Sequence, residues 1–484
     1  MTDNNIAGID AFYTRKIQEI PLRRIIFCTP ETPIYEAARL MKQEKVSCLF
    51  VGHGPDQLQG FVTDITFRDN VIAERESLEG SVAHIMDPNL VAISGDSFIY
   101  EAILLMFRTK TRYLLVSKGG LYTGVISRNK ILTEQSQSPF IFIQSVKQAI
   151  NKEELRGKWE QVPKIVHELV QRGIRAEIIN QIISTIADTI ALRVIENVIR
   201  EKGDPPAKFV FFTLGSEGRK EQTLKTDQDN AIIYEDKANE HREEVRAYFL
   251  DFAAKVSEDL DAIGFNYCKG GFMASNPKWT HSLSHWKGNY ASWFQESSPE
   301  TVMRYATFFD CRPIYGDFSL LEALKTFMDE QLKNPLERFY YNMAQNILQY
   351  DTQLTWLKNI KTFKVEDEEV FDIKRAMSPM VEGIRLYALD ERIFETNTGQ
   401  RLQLLTENGV FTEKEARELY HAYYYLMALR LEKQAERLIQ GKKKPRNYIP
   451  IHELTKVQMV TIREIFKVIK DFQLKIKIQF TKSF

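Results

Sequence analysis

"LGSEGRKEQTLKTDQDNAIIY", Leu214–Tyr234, joins a glycine-serine turn, a charged segment and two aspartates one residue apart at the mouth of an apolar run. The residues just before it, "KFVFFTLGS", are β-rich and end in small side chains, and "DNAIIY" is a second such run. The stretch therefore predicts a strand, a turn, a charged helix of about two turns and another strand. Residues i and i+2 of a strand share a face, which sets Asp227 and Asp229 side by side. Carboxylates that close repel unless a cation or a proton intervenes. A hard divalent ion suits them, because Mg²⁺, or Mn²⁺ in its place, accepts one or two carboxylates and finishes its shell with water and substrate phosphates. Gly215 permits close backbone approach, and the N–H groups around Gly215 and Ser216 can receive a triphosphate. The spacing is neither that of a P-loop nor that of a dinucleotide fingerprint.

Outward from this stretch, 484 residues are too many for one ordinary core. Lys plus Arg and Asp plus Glu number 65 each, so no overall field favours nucleic acid or an anionic membrane. The start has no apolar stretch of signal-peptide length and no window reaches a membrane span, which predicts a cytoplasmic protein without a membrane partner. Cys28, Cys48, Cys268 and Cys311 have no CxxC spacing and read as reduced, mostly buried thiols. An internal repeat is plain: "IYEAARLM" at Ile34–Met41 returns as "IYEAILLM" at Ile99–Met106. Each copy reads as an amphipathic helix opened by Thr32 or Ser97, followed by a hairpin such as "CLFVGH" with "LQGFVTD". A helix on so small a sheet leaves one face bare, so the copies should pair.

Leu22 to about Leu132 resembles a tandem pair of cystathionine beta-synthase (CBS) domains. The resemblance implies an adenosine nucleotide between the copies and a homodimer through the module. At the family's ribose-binding positions stand Thr63 and Ser127, but the aspartates that complete its pattern are Thr66 and Lys130 here. The polar stretch 133–139 is a natural boundary.

Glycine-serine after one strand, with Asp-x-Asp on the next, resembles the signature of DNA polymerase β type nucleotidyltransferases. The longer string is similar to a nucleotidyltransferase family found behind CBS pairs and related to the nucleotidyltransferase domain of PII uridylyltransferase. "CKGGFMASNPKWTHSLSHW" and "FFDCRPIYGD" resemble later segments of that family. The resemblance implies catalytic, metal-holding roles for Asp227, Asp229 and a third carboxylate, for which Asp310 in a β-rich run is the candidate, its alternative reading being a salt bridge to Arg312 or another base. Gly215, Ser216 and Arg219 would meet the nucleotide. Arg219 has an alternative reading, an ion pair with Glu217 or Glu221. His281 and His285 read as surface or substrate contacts. Beyond Ser319 apolar stripes predict a helical bundle, in which "FDIKR", "NTGQRL" and "ALRLEKQ" resemble the family's substrate-binding domain.

The expectation is an α+β multidomain chain: CBS domains over 1–138 (17–75 and 81–136), a helical linker with a mixed-sheet nucleotidyltransferase domain over 139–318, and a C-terminal α-helical bundle over 319–484. Its function would be CBS-regulated, Mg²⁺-dependent transfer of a nucleotide from an NTP to an acceptor, a signalling protein in preference to nucleic acid. A small-molecule hydroxyl as acceptor, or a nucleotide sensor without turnover, are the alternatives.

Overall fold

The computed structural model describes residues 15–133, 139–237, 241–350, 354–355, 359–441 and 445–481. Most of the polar stretch 133–139, and the lysines 442–444 of the basic loop "GKKKPRN", lie outside them. The chain forms two compact units, 1–144 and 145–484.

In the first unit each repeat builds one three-stranded sheet. β1 (Phe27–Cys28) runs parallel to β2 (Cys48–Gly52), which forms a hairpin with β3 (Leu58–Thr63). The second copy repeats the pattern with β4 (Ala92–Ser94), β5 (Tyr113–Lys118) and β6 (Leu121–Ser127). The repeated helices span Ile34–Glu44 and Ile99–Arg108, and start one residue later than Thr32 and Ser97 would set them, with Pro33 and Phe98 as N-caps. Cys48 and Phe50 of one copy share an apolar core with Leu115 and Val125 of the other. The copies therefore pair, and the face that each small sheet leaves bare is covered by its twin.

The second unit is built around a four-stranded mixed sheet in the order β10-β7-β8-β9. β7 (Phe209–Thr213) lies antiparallel to both β8 (Asn230–Tyr234) and β10 (Arg312–Gly316), while β9 (Thr280–Ser282) runs parallel to β8. Phe209 and Phe212, an odd number of residues apart, face opposite sides. Phe209 packs on Phe249 and Phe252 of the helix Arg242–Ile263, and Phe212 meets Trp286 of the helix Leu283–Gln295. Helices thus cover both faces, which is why β7 and β8 are buried along their whole length.

Ala176–Lys202 is long and apolar enough to cross a membrane by composition, yet most of its apolar window is buried inside the protein. After residue 318 the chain turns helical, with Ile373–Asp390, Thr398–Glu407, Glu413–Ile439 and Lys456–Phe480 as the main rods. A small antiparallel sheet, β11 (Phe363–Val365), β12 (Glu368–Asp372) and β13 (Tyr448–Pro450), is added to this bundle. Residues 319–484 pack with the four-stranded sheet into one compact unit.

Candidate active site

The aspartate pair lies on the extended lead-in to β8. Asp227 bridges Asn266, the Gln228 N–H donates to the Asn266 carbonyl at 2.9 Å, and the Leu214 N–H donates to the Asp229 carbonyl at 2.9 Å. Gln228 is buried and its amide donates to the carbonyls of Ser257 and Phe265. With Gln228 fixed inward, the alternation turns Asp227 and Asp229 outward together. Asp227 is exposed and Asp229 half-buried.

Burial pushes the Asp229 carboxyl up to about 6, opposed by a hydrogen bond from the Cys268 thiol and by Lys374, and reinforced by Asp227. The Cys268 thiol is itself raised to about 11, first by burial and then by Asp229. Its loop is stitched to β8 by Asn230, whose N–H donates to Phe272 and whose side-chain oxygen accepts from Ala274.

The glycine-serine turn stands against this pair. Gly215 has a φ of +56°, and a Cβ there would lie 2.8 Å from Thr307 Oγ1 and 3.5 Å from Asp229 Oδ2. Only glycine keeps that space clear. Ser216 has no hydrogen-bonded side-chain partner among the described residues and is half-exposed. The charged helix is a single turn, Gly215–Gly218, shorter than expected. It stops because Lys220 enters the left-handed region at φ 57° and Glu221 turns inward. There Glu221 accepts from Arg219 Nε at 2.7 Å, Tyr423 Oη at 2.7 Å and the Thr398 N–H at 2.6 Å.

Two expectations are corrected here. Asp310 does not lie on a strand beside the pair but ends a 3₁₀ turn, Ala306–Asp310, fully buried. Its carboxylate accepts from Arg385 Nε at 3.0 Å and Nη2 at 2.6 Å, from Arg401 Nη1 at 2.7 Å and from Arg219 Nη1 at 2.6 Å. Burial alone would raise its pKa, but Arg385, Arg401 and Arg219 hold it far below the carboxylate range. An oxygen pair so saturated has nothing left for a metal. Arg219, committed to Asp310 and Glu221, is likewise no phosphate clamp. The pairing with Glu221 is the alternative that holds, while Arg312 grips Asp188 with two bonds of 2.9 Å.

Glu217 is buried and raised to about 8, first by desolvation and then by Asp188 and Asp229. Among the described residues no group of three or more His, Cys, Asp or Glu is placed to hold a metal. The donor set left is Asp227 and Asp229, two hard carboxylates with no ion pair among the described residues. That set suits Mg²⁺ bound together with phosphate.

Sequence reading missed two neighbours of the pair, Cys268 and Lys374, and behind Lys374 the guanidinium of Arg430. Lys374, at the start of the helix Ile373–Asp390, is exposed. Desolvation first, then Arg430, pushes its pKa down, while Asp229 and Asp227 oppose that. Arg430 is buried and lowered to about 10, first by desolvation, with Tyr423 and Asp372 opposing the shift. The signal for them lay in "CKGG", "FDIKR" and "ALRLEKQ", segments matched as strings without a role for any one side chain. His281 stacks on His285 with ring centres 3.6 Å apart. In the first unit the Thr63 hydroxyl accepts from the Thr66 N–H as a helix cap, and Ser127 lines a cavity of about 30 Å³ with Tyr113 and Phe50.

Three family models match the chain. "CBS domain" covers residues 17–72 and 82–136, "Putative nucleotidyltransferase DUF294" covers 160–300, and "Putative nucleotidyltransferase substrate binding domain" covers 337–480. Among curated proteins, the CBS domain-containing protein CBSCBSPB2 of Arabidopsis thaliana is 27% identical over 119 residues, 24% of this chain and 22% of that protein. The chain thus spans about a fifth of the length of the curated relatives it matches. Among solved structures, an uncharacterized conserved protein from Pyrococcus horikoshii is 23% identical, covering 26% of this chain and 95% of that one, with a TM-score of 0.24. A CBS domain protein from Pyrobaculum aerophilum complexed with AMP is 20% identical, covering 25% and 99%, with a TM-score of 0.23.

Proposed function

We infer that this chain, a CBS-containing nucleotidyltransferase with the family's C-terminal substrate-binding domain, transfers a nucleotide from an NTP with a divalent ion held by Asp227 and Asp229. The observation that carries the reading is the pairing itself: two outward carboxylates with no cation in ion-pair contact among the described residues, next to a glycine whose missing side chain leaves room at Asp229. Mg²⁺ or Mn²⁺ bound there supplies electrostatic stabilisation of the charge that builds on the phosphates. The chain's own part is positioning. Gln228 locks the strand so that both carboxylates face out, Gly215 admits a phosphate close to the backbone, and the Ser216 hydroxyl is free to donate to it. Asp310 and Arg219 act at a distance from the substrate, tying the glycine-serine turn to the helical domain.

The acceptor we propose is a protein. The zero net charge gives the chain no electrostatic hold on nucleic acid, and the related PII uridylyltransferase modifies a signalling protein. Incubating the protein with Mg²⁺, each α-labelled NTP and a size-fractionated lysate tests both parts. Label on a nuclease-resistant, protease-sensitive band supports the reading, and label confined to small molecules rejects the protein acceptor. One observation favours a second reading, a nucleotide sensor without turnover: with Asp310 sequestered, two carboxylates remain where three were expected. Mg²⁺-dependent NTP binding with no label in any fraction would select it. The same proposal includes an adenosine nucleotide at the CBS pair as regulator and a homodimer formed through that module, the latter read directly by sedimentation.

A further inference from the structure

The C-terminal helix Lys456–Phe480 buries one face and bares the other. Ile462, Phe466, Ile469 and Phe472 turn into the bundle. On the opposite side Val457 is 75% exposed, Val460 56%, Leu474 55% and Ile478 48%. Glu464, Lys467 and Asp471 stand between the two apolar pairs. From Val457 to Ile478 the steps alternate strictly between three and four residues, the spacing of the seam along which one helix packs on another. A single exposed apolar side chain is ordinary on a protein surface, but four on one seam are not accounted for in that way. The middle of the seam carries its own signal. Lys467 holds Glu464 of its own helix at 2.7 Å, while Asp471 has no ion pair among the described residues.

We propose that the exposed face of the helix Lys456–Phe480 is a docking surface for a second copy of this chain, bound antiparallel along it. The order of residues selects that occupant, because the seam reads the same from either end: two apolar residues, an acid, a base, an acid, two apolar residues. A two-fold interface needs such self-complementarity. Reversing the second helix lays Val457 and Val460 along the partner's Leu474 and Ile478, and sets each Lys467 between the partner's Glu464 and the partner's Asp471. A parallel, in-register pair would instead put like charges opposite each other. The inference is independent of nucleotidyl transfer, and its surface is separate from the repeats.

The test is thiol cross-linking of the full chain. Val460 and Leu474 are about 21 Å apart along the helix, so opposed copies bring these unlike positions together and keep like positions apart. Val460→Cys and Leu474→Cys chains, co-expressed and treated with a short bis-maleimide, should give at least about tenfold more cross-linked dimer than either variant alone, because adjacency raises the effective thiol concentration. Both positions are exposed, so the variants should fold. Wild type, whose Cys268 is half-buried, sets the background. Lys467→Glu in both chains leaves the centre of the seam wholly acidic and should cut the mixed cross-link by about fivefold. Lys467→Arg should keep it within about twofold, since the charge is retained. No excess in the mixture, an equal yield from Val460→Cys alone, or an unchanged yield with Lys467→Glu overturns the antiparallel surface. A dimer in sedimentation with no excess cross-link removes this surface and leaves pairing through the repeats intact.

Discussion

Three aspartates that look alike in sequence have different fates, and mutation should separate them. Asp310 neutralises part of a buried arginine cluster, so Asp310→Asn strands Arg385 and Arg401 without their anion and leaves Arg219 with Glu221 alone. Breaking such a buried pair costs about 3–5 kcal/mol, and denaturant unfolding should show a loss of that order. Asp227→Asn with Asp229→Asn removes a repulsion instead, so stability should hold or rise slightly while Mg²⁺-dependent NTP protection in a thermal melt disappears. Persisting metal-dependent protection would sink the site. Histidine supplies the pH test. Burial first, then His285, Arg246 and Arg242, lowers His281 to about 4. Its folded pKa is below the unfolded value near 6.5, so the unfolded chain binds the proton more readily between those values. The neutral ring's contribution is complete above pH 6.5 and is lost as pH falls toward 4. Because the ring is half-buried, the effect should stay below roughly 2 kcal/mol. His281→Gln should flatten the melting temperature across that window, and an unchanged acid limb would count against it.

At the scale of the element, the glycine-serine turn shows how far pattern reading reaches. Period-two alternation around Gln228 correctly set Asp227 and Asp229 on one face, because a strand's geometry is local. The helix after Gly215 ran short for a non-local reason: Glu221 is drawn inward by Tyr423 and Thr398, residues about two hundred positions away. Asp310 misled for the same cause, since its alternating apolar neighbours suggest a strand while its three arginine partners are invisible in the sequence around it. The two glycines of the turn should respond differently. Gly218→Ala drives a Cβ to 1.8 Å from the Asp310 carbonyl oxygen, backbone against backbone, and should abolish the fold of this unit. Gly215→Ala forces a left-handed residue, costing roughly 1–2 kcal/mol, presses its Cβ on Thr307 Oγ1 and fills the space beside Asp229. It should yield folded protein with weakened Mg²⁺-NTP binding, read by melting with and without ligand. Equal stability of the two variants would contradict the close approach.

Over the whole molecule, the repeat made the CBS pair legible because duplication writes the same core twice, in Ile34, Ala37 and Met41 and again in Ile99, Ala102 and Met106. What no periodicity could reveal is the polar part of the union inside 145–484, which joins the two sides beside the packing of Phe339 on Phe294 and Phe309. Arg385 and Arg401 from the helical rods reach Asp310, the Thr396 hydroxyl donates to the Gly218 carbonyl at 2.9 Å, and the Asn397 amide donates to the Arg219 carbonyl at 3.1 Å. A buried network satisfied only by partners from both sides behaves as one cooperative element, since removing either half leaves unpaired charges in a low dielectric. Cutting the chain at 318/319 should therefore give no stable nucleotidyltransferase fragment. Residues 145–318 expressed alone should lack a cooperative thermal transition, whereas 145–484 should melt in a single one. Co-expressing 145–318 with 319–484 tests the cause: reassociation should restore the transition, and Arg385→Ala with Arg401→Ala in the second fragment should prevent it. A sharp, independent transition in 145–318 would mean that the sheet is stable without its arginines, and that the helical domain is an appendage instead of one wall of the active site.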